Sequence, residues 1–240
     1  MVLRSALLPS GEEAGRENDD SDGFEIRGEN MKQDPSEWCR IGSANTSDAL
    51  RACGRCFQAM DGGMHALNRS MKVAGPAFTV RCYPGATWAM EQALEAAAPG
   101  DVLVVDGGGR PDVILMGGLM STRASTRGIA GAVVDAAVRD IDEIEALGFP
   151  MFTRYICPRA GTFAEIGELQ VTVCCGRLPV RPGDWIVGDA SGIAVVPSEM
   201  LEQVHEQAAK IHEREEKIAV ELKKGRSLSE AGEAVDQKRD

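Results

Sequence analysis

Apolar positions along the chain recur with periods that alternate between those of strands and those of helices. Ala49, Leu50, Cys53, Phe57 and Met60 follow helical spacing behind the cap candidates Asn45, Thr46, Ser47 and Asp48, predicting a first helix that ends near Gly62-Gly63. Pro76 to Tyr83 predicts a strand, and Ala86 to Ala98 a helix stopped by Pro99-Gly100. Asp101 to Asp106 reads as a strand buried on both faces. A helix from Gly118 to Arg127 ends at Gly128, and a strand from Ile129 to Asp135 follows. Ile141 to Leu147 predicts a short helix closed by Gly148, leading into a strand from Met151 to Ile156. This alternation predicts an α/β fold with a layered sheet.

The pattern changes after Pro158. Leu169 to Cys174, Trp185 to Val187 and Ile193 to Val196 read as short strands between Pro-Gly-Asp and Gly-rich turns, an antiparallel portion. Ser198 to Lys224 predicts a long C-terminal helix with its seam on Leu201, Val204, Ala208, Ile211, Ile218 and Leu222. Glu215 occupies a seam position, so its carboxylate either faces whatever the helix packs against or snorkels out to water. Residues 1–35, rich in Glu, Asp, Gly and Ser, read as a disordered acidic extension. The expected organisation is that extension, an α/β catalytic domain over 36–198, and a helix and tail over 199–240 serving as an oligomer contact.

Composition narrows the chemistry. The net charge of −11 divides into −6 for residues 1–37, −2 for 38–198 and −3 for 199–240, so the body is nearly neutral and no basic patch invites nucleic acid. No apolar run approaches the length of a membrane span, and seven cysteines without a signal-peptide core predict a reduced, cytoplasmic protein. Cys53-x-x-Cys56 has no matching second pair, and Cys174-Cys175 are adjacent, so these read as idle or buried thiols. Histidine occurs only as His65, His205 and His212, which argues against a Ser-His-Asp triad or a multi-histidine zinc site. Lys72 is the one lysine between 38 and 198 and sits in a polar segment, a poor place for a Schiff-base amine. Gly107-Gly108-Gly109 lacks the dinucleotide fingerprint and the Walker lysine, and reads as a tight connection.

Carboxylate and arginine chemistry at Arg139-Asp140 remains. Mg²⁺ keeps most of its waters and often takes one or two protein carboxylates, which suits Asp140 as sole direct ligand. Arg139 would meet a substrate carboxylate through a forked contact, and the N–H groups of Gly117, Gly118, Leu119 and Met120 at a helix start would take another oxygen. Such a site would bind a small 2-oxo acid, the metal polarising its ketone. The plain alternative is a helix N-cap with a solvated neighbour.

GLMSTRASTRGIAGAVVDAAVRDIDEIEALGFPMF, with TSDAL and GPAFTV before it and RPGDWIVGDASGIAVVP after it, resembles the RraA-like family over about residues 40 to 224. That family includes divalent-metal-dependent 4-hydroxy-4-methyl-2-oxoglutarate / 4-carboxy-4-hydroxy-2-oxoadipate aldolases and bacterial protein regulators of ribonuclease E. The resemblance implies a swivelling β/β/α domain, a homotrimer or dimer of trimers with sites between subunits, and Mg²⁺ or Mn²⁺ as cofactor. It implies substrate binding by Arg139, metal binding by Asp140 and carboxylate binding by the Gly117 to Met120 amides. It also implies oxaloacetate decarboxylation as a side activity. The aldolases it resembles carry an acidic residue twenty-one positions before the arginine, and here that position is Gly118. The acid–base role then passes to another carboxylate, such as Asp106, Asp112 or Asp135. The aldolases' glutamate from a neighbouring subunit points to Glu215 as a catalytic candidate. The alternative is a non-enzymatic inhibitor of a ribonuclease; a menaquinone methyltransferase is set aside, since no Gly-rich methyl-donor motif follows the first strand.

Overall fold

Pro35, behind an Asp34 side chain that accepts from the Ser36 N–H, opens helix α1 (Pro35–Ala52) in a computed structural model that describes residues 33–237. Residues 1–32 and 238–240 lie outside the described residues, and with them most of the acidic extension expected to be disordered.

The helix predicted to start after Asn45–Asp48 is therefore displaced. Gly42 breaks α1 at φ 84°, and the second segment takes its cap from far away: Asp189 accepts from the Ser43 N–H at 2.8 Å and the Ser43 hydroxyl at 2.7 Å. Asn45 to Asp48 thus fall inside the helix, which stops at Ala52 ahead of a left-handed Gly54, and Cys53–Met60 is mostly irregular.

The remaining helices are α2 (Trp88–Ala96), α3 (Gly118–Thr126), α4 (Ile141–Leu147), α5 (Leu201–Lys223) and α6 (Leu228–Asp236). The last escaped the sequence reading although Ser227 and Glu230 form a reciprocal capping box at its start. The main sheet holds β1 (His65–Ala66), β2 (Val73–Arg81), β3 (Val102–Asp106), β4 (Ile114–Met116), β5 (Gly131–Val138), β6 (Met151–Ile156), β7 (Glu168–Leu169), β10 (Trp185–Asp189) and β11 (Gly192–Val196). β8 (Val173–Cys175) and β9 (Leu178–Val180) form a separate hairpin. The order is β1-β6-β5-β3-β2-β10-β11, with β4 added on β5 and β7 on β2.

Strands β2, β3, β5 and β6 run parallel, and β10 and β11 continue antiparallel, as the change of pattern after Pro158 predicted. β5 runs past Asp135 to Val138, buried throughout. A carboxylate inside a buried strand is tolerated because Arg154 and the Gly176 N–H meet it at 2.6 and 2.7 Å. One face of the parallel strands packs Phe78, Leu103 and Val134 against α2, α3 and α4. The other face carries Val104, Val133, Phe152 and Ile186 against the β8-β9 hairpin. α1 and α5 cover β10 and β11 through Trp38, Trp185, Leu201 and Val204. These layers make the mixed α/β, swivelling β/β/α architecture with a long C-terminal helix.

The α5 seam is buried only over its first half. Leu201, Val204 and Ala208 are buried, Ile211 and Ile218 are half-buried, and Leu222 and Glu215 are exposed. Beyond Ile211, α6 takes over, with Asp236 paired to Arg214 at 2.8 Å, and the buried carboxylate is Glu221, held by Lys224 and Arg226. Within the chain, then, Glu215 lies out towards water rather than against a packed face.

Candidate active site

β4 and β5 are parallel neighbours, and Met116 and Val138 are paired in register at their C-terminal ends. The residues that follow, Gly117 before α3 and Arg139-Asp140 before α4, must therefore leave the sheet side by side. The Arg139 N–H donates to the Met116 carbonyl at 3.3 Å and ties the two turns together. Crevices outside the carboxyl ends of parallel strands are the usual ligand sites of such sheets.

Asp140 occupies the N-cap position of α4 but does not act as a cap. Its backbone is left-handed (φ 59°, ψ 46°), its side chain makes no capping bond, and Oδ2 instead accepts from the Gly118 N–H at 3.0 Å. Holding a non-glycine residue there costs on the order of 1 kcal/mol, strain of the kind found at functional sites. The plain N-cap alternative is thereby removed. Arg139 Nε lies 3.4 Å from Asp140 Oδ2, yet it is buried with no hydrogen-bond partner among the described residues. A buried guanidinium N–H without a hydrogen bond is costly, and an anionic oxygen is the kind of group that satisfies one.

Gly117 and Gly118 give this turn its clearance. A Cβ on Gly117 would stand 2.7 Å from Asp140 Oδ2 and 3.2 Å from Arg139 Cγ. A Cβ on Gly118 would overlap Glu143 Oε2 and stand 3.2 Å from Glu143 Cδ and 3.3 Å from Asp140 Cβ. The Gly117 and Gly118 carbonyls are engaged by the hydroxyls of Ser121 and Thr122 at 3.0 and 2.9 Å. At the start of α3, the N–H groups of Leu119 and Met120 have no acceptor four residues back within the helix, and the Leu119 side chain is exposed. Asp140 Oδ1 is engaged by no described hydrogen bond, and no cluster of three His, Cys, Asp or Glu ligands occurs among the described residues; a cation held by one carboxylate would keep most of its waters.

The structure thus brings Gly117, Gly118, Leu119, Met120, Arg139 and Asp140 together, and leaves Asp106, Asp112, Asp135 and Glu215 outside. Asp112 pairs with Arg110 at 2.7 Å and Asp135 with Arg154, while Asp106 accepts from the N–H groups of Gly108 and Cys174 at 3.1 Å. Glu215 makes no described hydrogen bond or ion pair with this site. Glu143, which the sequence reading passed over, is the carboxylate that reaches it. Its signal was its place in the first turn of α4, three residues after Asp140.

Away from this site, Asp106, Gly108, Asp135, Arg154, Cys174 and Arg177 line a cavity of about 420 Å³. Arg154 also pairs with Asp61 at 2.7 Å, and hydrogen bonds from Arg154 hold the Asp61 carboxyl below its ordinary value. All seven cysteines are free; burial pushes the Cys82 thiol up to about 12 and also raises Cys174 and Cys175, so these are poor nucleophiles. Gly108 and Gly109 are left-handed and make the tight connection expected of the glycine run, and Lys72 is spent on the Cys39 carbonyl at 3.0 Å. Among the described residues no helix is long and apolar enough to cross a membrane.

Comparison with known proteins shows the family and the fold. Residues 43–195 match the model of the RraA-like family, described as Aldolase/RraA. A Halalkalibacterium halodurans protein, provisionally named as a 4-hydroxy-4-methyl-2-oxoglutarate aldolase, is 43% identical over 144 residues, 60% of this chain and 69% of its own length. The solved structure of an uncharacterized Pseudomonas syringae pv. tomato protein superposes with a TM-score of 0.72 at 28% identity, covering 81% of this chain and 94% of the other. Streptomyces coelicolor RraAS2, described as an unusual member of the RNase ES inhibitor RraA family, gives 0.68 at 30% identity, covering 78% and 96%.

Proposed function

This chain belongs to the RraA-like family, and from that membership we propose that it is a divalent-metal-dependent aldolase. It would cleave 4-hydroxy-2-oxo diacids, such as 4-hydroxy-4-methyl-2-oxoglutarate, to pyruvate and a second 2-oxo acid. The carrying observation is Asp140, held left-handed ahead of α4 beside the start of α3, with the buried Nε of Arg139 next to it making no hydrogen bond among the described residues.

Asp140 would hold Mg²⁺ or Mn²⁺ through Oδ1, and the ion, when bound, supplies Lewis acidity at the substrate's 2-oxo group. Arg139 binds and orients an anionic oxygen of the substrate through its free N–H, while the Leu119 and Met120 amides receive the C1 carboxylate. Cleavage needs a base at the C4 hydroxyl: its proton leaves, the C4–O pair becomes a carbonyl, and the C3–C4 pair passes to the pyruvate enolate. Negative charge that develops on the 2-oxo oxygen lies near Arg139 and the α3 N-terminus, which stabilise it. Oxaloacetate would lose CO₂ by the same electron flow. Glu215, exposed on α5, would act only from a neighbouring subunit of a homotrimer or dimer of trimers, and light scattering tests that assembly.

Purified protein with Mg²⁺ is expected to release pyruvate from oxaloacetate and from a 4-hydroxy-2-oxo diacid, and to stop on addition of EDTA. Absence of metal-dependent pyruvate from both substrates would sink the proposal. The likeness to RraAS2 supports a second reading, a protein that inhibits a ribonuclease by contact. That binding would survive both EDTA and Arg139→Ala.

A further inference from the structure

We propose that the cavity at the tip of the β8-β9 hairpin is a further binding site, one that takes a small amino acid with its carboxylate on Arg177 and its ammonium group on Asp106. The site is separate from the reaction at Arg139 and Asp140.

The hairpin tip is a two-residue turn, Gly176-Arg177, between the paired Cys175 and Leu178, and both residues are left-handed, at φ 56° and 62°. Such a turn matches the twist of its strands, and glycine ordinarily fills its second place because a larger side chain is strained there. Glycine at 176 has a reason in clearance: a Cβ would stand 2.6 Å from Met60 Cβ. Arginine at 177 has no such reason. Its side chain is exposed at the cavity and makes no hydrogen bond or ion pair among the described residues. The turn is nonetheless fixed, since the Gly176 N–H donates to Asp135 Oδ2 at 2.7 Å and the Gly176 carbonyl accepts from the Asp61 N–H at 2.9 Å. A strained, anchored turn therefore presents an unpaired guanidinium to the cavity.

The surrounding charge sets what that guanidinium can hold. Arg154 is saturated by Asp61 and Asp135. Asp106 accepts only from the neutral Gly108 and Cys174 N–H groups, which leaves each oxygen a lone pair and the carboxylate no cation among the described residues. Asp61, Asp106 and Asp135 against Arg154 and Arg177 leave the cluster one formal negative charge. A plain carboxylate would add a second, and a plain amine would leave Arg177 unpaired. A zwitterion adds no charge and pairs both groups. The volume of about 420 Å³ falls in the range of small-molecule sites, and the Tyr155 hydroxyl, which makes no described hydrogen bond, is a further donor at the cavity wall.

The test is calorimetric titration of the full chain with glycine, β-alanine and γ-aminobutyrate, whose charges stand progressively further apart, and with acetate and methylammonium as single-charge probes. One of the amino acids is expected to bind at least about tenfold tighter than either single-charge probe, the worth of one charge-assisted hydrogen bond. Arg177→Gly should weaken that binding by at least about tenfold, with an unfolding midpoint no lower than wild type, because glycine relaxes the left-handed turn. Asp106→Asn removes the negative charge and should abolish the preference for the amino acid over acetate. Arg139→Ala should bind the amino acid as wild type does. No binding of any of the three amino acids, or equally tight binding of acetate or methylammonium, overturns the proposal. Wild-type affinity or a lowered midpoint in Arg177→Gly, or an unchanged preference in Asp106→Asn, overturns it as well. Loss of binding in Arg139→Ala does so by placing the ligand at the other site. None of these outcomes depends on pyruvate release, so the aldolase reading is tested apart.

Discussion

Replacing Gly117 by alanine separates clearance from conformation. Gly117 has φ −149° and ψ −168°, an extended backbone that alanine adopts freely, so the chain itself offers no resistance. The obstacle is the new methyl group, which would stand 2.7 Å from Asp140 Oδ2, about 0.7 Å short of the 3.4 Å at which ordinary contact begins. Asp140 is fixed in its left-handed backbone and can yield only by turning its carboxylate, which breaks the 3.0 Å bond from the Gly118 N–H. A hydrogen bond to a charged group contributes roughly 1.5–3 kcal/mol; if bringing the displaced carboxylate back to the ion costs a similar amount, Mn²⁺ affinity should fall by about 10- to 100-fold. Folding stability should fall by no more than the worth of that one bond, roughly 1.5–3 kcal/mol, and by less where the displaced carboxylate is hydrated. Mn²⁺ titration and urea denaturation of the same preparation measure both. Wild-type Mn²⁺ affinity in Gly117→Ala would refute the placement of the metal on Asp140. A loss of several kcal/mol with intact binding would instead make Gly117 a packing residue.

Asp140→Gly relieves the left-handed strain, so it should leave thermal stability within about 1 kcal/mol of wild type while abolishing metal-dependent pyruvate release; a calorimetric scan and a coupled pyruvate assay check the two halves. Arg154→Ala leaves the buried Asp135 without its guanidinium partner and should cost about 3 kcal/mol in urea unfolding. The same variant bears on acid stability. Because Arg154 depresses the folded-state carboxyl of Asp61, that contribution is fully present above the unfolded value of about 4 and lost as pH falls through the folded one. The wild type should therefore lose more stability than Arg154→Ala between neutral pH and about pH 3, read from urea midpoints. Asp189→Ala removes the distant cap of the second segment of α1 and should cost about 1–2 kcal/mol, seen as a lower midpoint with an unchanged slope.

Most of the architecture was legible in periodicity, because burial on one face or both writes a period of two, of 3.6 or an unbroken apolar run into each segment. The helices from Gly118 and Ile141 and the strand from Met151 start where the pattern places them. Arg139 and Asp140 stood out by elimination, since few histidines and one central lysine left little other chemistry. The first helix was misplaced because its second cap, Asp189, lies 146 residues away and no local pattern contains it. The strand through Asp135 looked finished at a carboxylate, and only Arg154 from β6 shows why it continues.

Glu215 and Glu143 mark the same boundary from opposite sides. Heptad arithmetic put Glu215 on a seam, but how far a seam stays buried depends on the length of the helix it meets, and α5 is 23 residues against 18 in α1. Glu143 reads in sequence as an ordinary first-turn acid. Its position over Gly118 follows from the parallel pairing of β4 with β5, which sets two helix starts side by side. Local sequence carries the residue types and the elements that hold them; distances between turns separated by some twenty residues are fixed only when the sheet closes, because hydrogen-bond register across strands sets them.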